Sequence, residues 1–132
     1  MASSLQADLE ILWSETDIDA VLGAQQRLIA IATKEDLPEL VEALRSERNN
    51  FWTRELLAEP IAYLGGSDYL RELFDAKDKN YNDGHDNDSL NCFLTEIADA
   101  EPAACKAKLE SLMESADFPH RNYAQWLLEF CK

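Results

Sequence analysis

Leu57, Leu90 and Ala124 stand 33 and 34 residues apart, and four positions further on Ile61, Leu94 and Leu128 repeat the same spacing. A third series, Leu37, Leu70 and Cys105, recurs at 33 and 35. Apolar sets that repeat together at such a period, with helical spacing inside each, suit a chain of helical hairpins. One hairpin leaves an apolar face that only its neighbour can cover. Runs in which Val, Ile and Thr alternate with polar residues are absent, so no strand is predicted. The expected fold is all-α, a short solenoid of about eight helices, and its 132 residues fit one domain spanning 1–132. The competing arrangement is a helical bundle without a repeat, because any helical chain gives some accidental spacing.

Capping residues place the helices. Leu5, Leu9 and Leu12 mark the first; Thr16, with Asp19 three residues on, caps the second, which carries Val21, Leu28 and Ile31. Thr33 and Asp36 repeat that pattern, and Pro38 falls in the first turn of the third helix, where its missing N–H costs nothing. Leu37, Val41 and Leu44 form its buried stripe, and Asn49 with Asn50 ends it. The fourth helix stops at Gly65 and Gly66, and Ser67 caps a fifth that buries Leu70, Leu73 and Phe74. A sixth runs from about Asp88 to Asp99, Pro102 opens a seventh with Cys105, Leu109 and Leu112, and Asp117 with Pro119 starts an eighth that reaches the end of the chain.

Twelve basic residues against twenty-six acidic ones give a formal net charge of −14, which repels phosphate backbones and anionic headgroups. Nucleic acid and membranes are therefore not expected as partners, whereas a basic protein is attracted and steered. Solubility alone is the other reading of that charge. The opening residues have no positive start, and Gln6, Asp8 and Glu10 interrupt their apolar positions, so a signal peptide is not expected. Cys92, Cys105 and Cys131 form no CxxC pair and read as reduced thiols in a cytoplasm, serving as small core hydrophobes.

The stretch "NNFWTRELLAEPIAYLGGSDYLRELFDA" resembles a HEAT repeat: an arginine early in its first helix, small and aliphatic residues behind it, a short turn and a leucine-rich second helix. "DFPHRNYAQWLLEFC" is similar to its first half, with Arg121 standing 67 residues after Arg54. The resemblance covers most of residues 17 to 131 and implies a right-handed α-α superhelix in which Arg54 and Arg121 join adjacent repeats. The aspartate usual in the second helix of the family is not evident here. Pro60 fits the same pattern, because within a helix it removes the bond to the Leu56 carbonyl and calls for a bend held by neighbours. "RELLAEPIAYLGG" with "DGHDNDSL" is also similar to small bacterial HEAT-like proteins, some of toxin-immunity type.

"NYNDGHDNDSL", residues 80 to 90, stands apart from the helical pattern. As an EF-hand loop it fails. Counting from Asp78 places Asp83 where glycine is required and Ser89 where the bidentate glutamate is required, and placing Gly84 sixth puts Lys79 first and Leu90 last. No metal or cofactor is expected, an irregular calcium site being the alternative. Gly84 suits a turn, and Asp86 or Asp88 suits capping of the sixth helix. One cap needs one aspartate, so the excess charge points to recognition of a cation. His85 and His120 come with no HExxH, GxSxG or phosphate loop, and no catalysis is expected. The tryptophans and Tyr63, Tyr69, Tyr81 and Tyr123 are expected in the core or between repeats, with an interface-anchor role as the alternative for Trp52 and Tyr81.

The functional expectation is a non-catalytic, cytoplasmic protein-binding module, an immunity-type inhibitor that covers a basic toxin through an acidic surface. In the HEAT family the second helices line the concave side. Carried over, this gives Glu39, Glu42, Glu72, Asp75, Glu110 and Glu114, joined by Asp83, Asp86 and Asp88, as partner-binding residues. An adaptor or assembly scaffold with no toxin partner is the alternative, and an accessory lyase-like or metal-dependent enzyme the third.

Overall fold

The computed structural model describes residues 5–14 and 17–132. Its helices are α1 (Gln6–Ser14), α2 (Ile18–Ile31), α3 (Leu37–Arg45), α4 (Phe51–Gly65), α5 (Leu70–Asn82), α6 (Asp88–Ala100), α7 (Pro102–Glu114) and α8 (Arg121–Leu128). A 3-10 turn, Lys34–Asp36, leads into α3, and another, Gly66–Tyr69, joins α4 to α5 with no non-helical residue between them. The described residues thus form seven unbroken helical runs rather than about eight separate helices, and no strand. The Gly65–Gly66 pair redirects the chain without a loop, because Gly66 at φ 54 changes direction inside the helical run.

Several ends are formed as expected and several are not. Pro38 lies in the first turn of α3, and the Asp36 carboxylate accepts the Thr33 N–H at 2.8 Å, although that box opens a 3-10 turn. Thr16 lies outside the described residues; Asp17 is the N-cap of α2 and accepts the Asp19 N–H at 3.0 Å. Asn49 clamps the end of α3 by donating from Nδ2 to the carbonyls of Ala43, Leu44 and Ser46, and Asn50 caps α4. Ser67 caps nothing with its side chain. Its own N–H is received by Glu101 Oε1 at 2.6 Å, so a carboxylate 34 positions away does the work expected of a local hydroxyl. Asp117 and Pro119 do not start α8 either. The helix begins at Arg121 after His120, and it stops at Leu128, beyond which Glu129, Phe130 and Cys131 fold into i to i+3 turns.

One apolar core runs from Leu5 to Leu127. Leu57, Leu90, Ala124, Ile61 and Leu94 are fully buried, as are Leu70 and Cys105, with Leu37 nearly so and Leu128 half-buried. Two of the repeating series lie on α4, α6 and α8, and the third on α3, α5 and α7. The packing follows this division: α4 lies between α2 and α6, and α6 also meets α8, while α5 lies between α3 and α7. Consecutive helices from α3 to α8 pack on each other as well. Pro60 sits inside α4, and the Leu56 carbonyl that it leaves without an intrahelical donor receives Gln25 Nε2 of α2 at 3.2 Å. No helix among the described residues is long and apolar enough to cross a membrane.

Candidate partner-binding surface

The segment between α5 and α6 is built first of all as a helix stop. Gly84, at φ 85, donates to the Tyr81 carbonyl and His85 to the Asn80 carbonyl, both at 3.0 Å, the two bonds of a Schellman motif. Asp83 pairs with the Arg54 guanidinium, whose Nε also donates to Asn80 Oδ1 at 2.6 Å. Asn87 donates to the Lys77 carbonyl, and Asp86 Oδ1 accepts the Asp88 N–H at 3.1 Å where α6 starts. His85 stacks on Phe51 with 3.8 Å between ring centroids, so it is held by an aromatic face rather than standing alone in a polar loop.

Charge is left over after these contacts. Asp86 and Asp88 are exposed and form no ion pair among the described residues. Their field reaches Glu55 on α4. Burial pushes the Glu55 carboxyl above its ordinary range, Asp86 pushes it further, His85 opposes this, and Asp88 adds to the rise. Like charge from Asp86 and Asp88 therefore gathers beside Glu55 at the α4–α6 end, with His85 partly offsetting it.

The acids predicted on α3, α5 and α7 divide into engaged and unengaged groups. Glu72 is half-buried beside Arg45 at 3.9 Å, and Asp75 Oδ1 lies 2.6 Å from Nε2 of the buried His120. Both therefore bind helices together. Glu39 and Glu42 line a hollow of about 420 Å³ between α1 and α3, with Trp13 and Arg45. Glu42, Glu110 and Glu114 are exposed, and none of them, nor Glu39, forms an ion pair among the described residues. The two arginines that the sequence pairs are unlike. Arg54 is buried and ties α4 to the end of α5, whereas Arg121 is exposed and, among the described residues, donates only to the Ser115 carbonyl at 3.0 Å.

Three features have no clear sequence signal. Lys77 is buried, its ammonium 4.6 Å from the Tyr123 ring centroid and 4.0 Å from that of Trp126, and burial pushes it below the ordinary lysine range. Asp78 accepts from the Tyr123 hydroxyl at 3.0 Å; burial, then that bond, pushes Tyr123 up to about 12. Lys77 thus acts as a pin between α5 and α8. The second feature is Tyr63, expected in the core or between repeats but 85% exposed, at the edge of an apolar groove of about 720 Å³ between α4 and α6. Cys92 on the same groove is exposed rather than a core hydrophobe, while Cys105 is buried and pushed up to about 12, by burial and then by Cys131. Third, Trp13 Nε1 donates to Asn49 Oδ1 at 2.7 Å, linking α1 to the end of α3. Trp52 is half-buried against the core, and Tyr81 is 69% exposed at the start of the aspartate segment. Among the described residues no group of three or more His, Cys, Asp or Glu is arranged to hold a metal ion.

Compared with protein-family models, with curated proteins and with solved structures, the chain matches none of them.

Proposed function

We propose that the chain is a non-catalytic HEAT-like α-α solenoid that works in the cytoplasm by covering a basic surface of another protein, as an immunity-type inhibitor covers a toxin. The observation that carries this reading is the pair of exposed carboxylates Asp86 and Asp88, which form no ion pair among the described residues and whose repulsion adds to burial in raising Glu55. A cationic partner relieves that repulsion on contact, which favours association beyond simple burial. The placement of α2, α4, α6 and α8 in one row of neighbours and α3, α5 and α7 in another supports the solenoid form. The exposed Glu42, Glu110 and Glu114 extend the acidic character along the second row.

The test is the association rate with a basic partner captured from the native host, at low and moderate ionic strength. Asp83 is left unchanged because it holds Arg54. The double change Asp86→Asn with Asp88→Asn removes charge while keeping a side chain that caps about as well. The expected result is slower association and a shallower dependence on salt. Equal rates and equal salt slopes would reduce the segment to a helix stop. An adaptor function is the second reading, favoured by the apolar groove between α4 and α6, because a bridging protein requires two separate surfaces.

A further inference from the structure

We infer that the groove between α4 and α6 is a second docking surface, whose occupant is a lysine- or arginine-bearing amphipathic helix of a partner protein. This goes beyond the acidic-surface reading and does not rest on it, because it uses other residues. The floor and walls are apolar: Pro60, Ala62 and Tyr63 from α4, Phe93 and Ile97 from α6, and Ile29 from α2. Tyr63 projects at 85% exposure and Ile29 at 40%, an unusual cost for large side chains that packing in the chain itself does not offset. A rigid, exposed tyrosine beside an apolar trough is the form that interface anchors take.

Charge decides the sign of the occupant. Glu59 stands on the α4 wall and Glu96 on the α6 wall, Glu101 closes one end, and no lysine or arginine among the described residues lines the groove. Glu101 is committed to the Ser67 N–H. Among the described residues Glu59 receives Gln25 at 3.4 Å and Glu96 the Cys92 thiol at 3.4 Å, and neither forms an ion pair, so both retain acceptor capacity. An apolar stripe flanked by positive charges is the complement of such walls.

Length and secondary structure follow from the surroundings. Ile18, Leu22 and Ile29 are exposed and fall on one side of α2 at i, i+4 and i+11, the side from which Gln25 reaches α4. They span about 16 Å along the helix and lead to the groove at Ile29, farther than a small molecule of ordinary size extends. An extended peptide would find no strand edge on this helical surface to pair its backbone N–H and C=O groups, whereas a helix satisfies its own.

The probe is a fluorescein-labelled 14-residue peptide of leucine and lysine, with the leucines at helical i, i+3, i+4 and i+7 spacing. Two controls accompany it: the same composition with leucine at alternate positions, and the helical pattern with glutamate in place of lysine. Binding is read by fluorescence anisotropy at about 0.15 M salt, where distant charges are largely screened. The expected result is binding of the helical lysine peptide alone, weakened tenfold or more by Tyr63→Glu and fivefold or more by Glu96→Lys. The double change Asp86→Asn with Asp88→Asn should alter it less than twofold. Both groove substitutions are at exposed positions, and circular dichroism confirms that each variant is folded; Glu96→Lys decides alone if Tyr63→Glu does not fold. No binding to the wild type, or equal binding of the two lysine peptides, overturns the groove as a helix site. So does binding that survives both groove changes, and loss confined to the aspartate variant assigns the peptide to that segment instead.

Discussion

Arg54 has its charge inside the fold, with Asn80 Oδ1 and Asp83 as its partners and only a few per cent of its side chain exposed. Removing the guanidinium leaves Asn80, fully buried, with its oxygen unpaired beside an amide nitrogen that already lacks a partner among the described residues. Arg54→Ala should therefore lower unfolding stability by about 1 to 3 kcal/mol. Arg121→Ala, at an exposed position with one carbonyl contact, should stay within about 0.5 kcal/mol of the wild type. Urea midpoints of the two variants check this, and equal losses would restore the equivalence that the sequence suggests. Glu55 makes the opposite kind of prediction. A carboxyl whose folded pKa is raised binds its proton more tightly in the native state, so its contribution falls as pH rises from the ordinary glutamate range through the raised one. Glu55→Gln should flatten that fall and melt higher than the wild type at neutral pH. A lower melting temperature there would mean that the ionised carboxylate is stabilising.

The turn from α4 to α5 depends on a single conformation and on a carboxylate from elsewhere. At Gly66 the backbone has φ 54 and ψ −135, and an added Cβ would lie 2.5 Å from Glu101 Oε1, the atom that accepts the Ser67 N–H. Gly66→Ala should thus both strain the backbone and displace the cap, lowering stability by about 1 to 3 kcal/mol. Gly23 lies inside α2, where an added Cβ meets only Arg27 at an ordinary 3.5 Å, and Gly23→Ala should add about 0.4 to 1 kcal/mol. Thermal melts of the pair provide the check; destabilisation by Gly23→Ala would show that α2 needs a close approach there. Pro60 belongs to the same scale. Its missing donor is compensated by Gln25 across the α2–α4 contact, which binds the interrupted helix to its neighbour.

Across the whole molecule, an excess of fourteen negative charges opposes compaction. Screening that repulsion with sodium chloride should raise the urea midpoint. The competing contribution comes from exposed pairs such as Arg48 with Glu10, at 2.8 Å, which the same salt weakens. A midpoint that falls on adding salt would show that the pairs outweigh the net charge. The distribution of that charge also matters for function: Glu72, Asp75 and Asp83 are committed to holding helices together, so the acids free to meet a partner are fewer than the sequence total implies.

The features legible in the residues alone are local and periodic. Helical spacing, the Pro38 and Pro102 starts, the glycine turns at Gly66 and Gly84, and the buried 33-to-35 series depend on neighbours within a few residues, or on which side of a helix must avoid water. Which acids are free follows from the packing of distant helices, because ion pairing depends on distances that no spacing records: Asp83 reaches Arg54 across 29 positions, and Asp75 reaches His120 across 45. Packing also decided the exposure of Tyr63. Tyr63 lies two residues beyond the fully buried Ile61, and its place at the edge of the groove is fixed by how α4 and α6 pack rather than by its own hydrophobicity. Glu101 in place of Ser67 shows the same limit, since a cap can be supplied by any carboxylate the fold brings within reach.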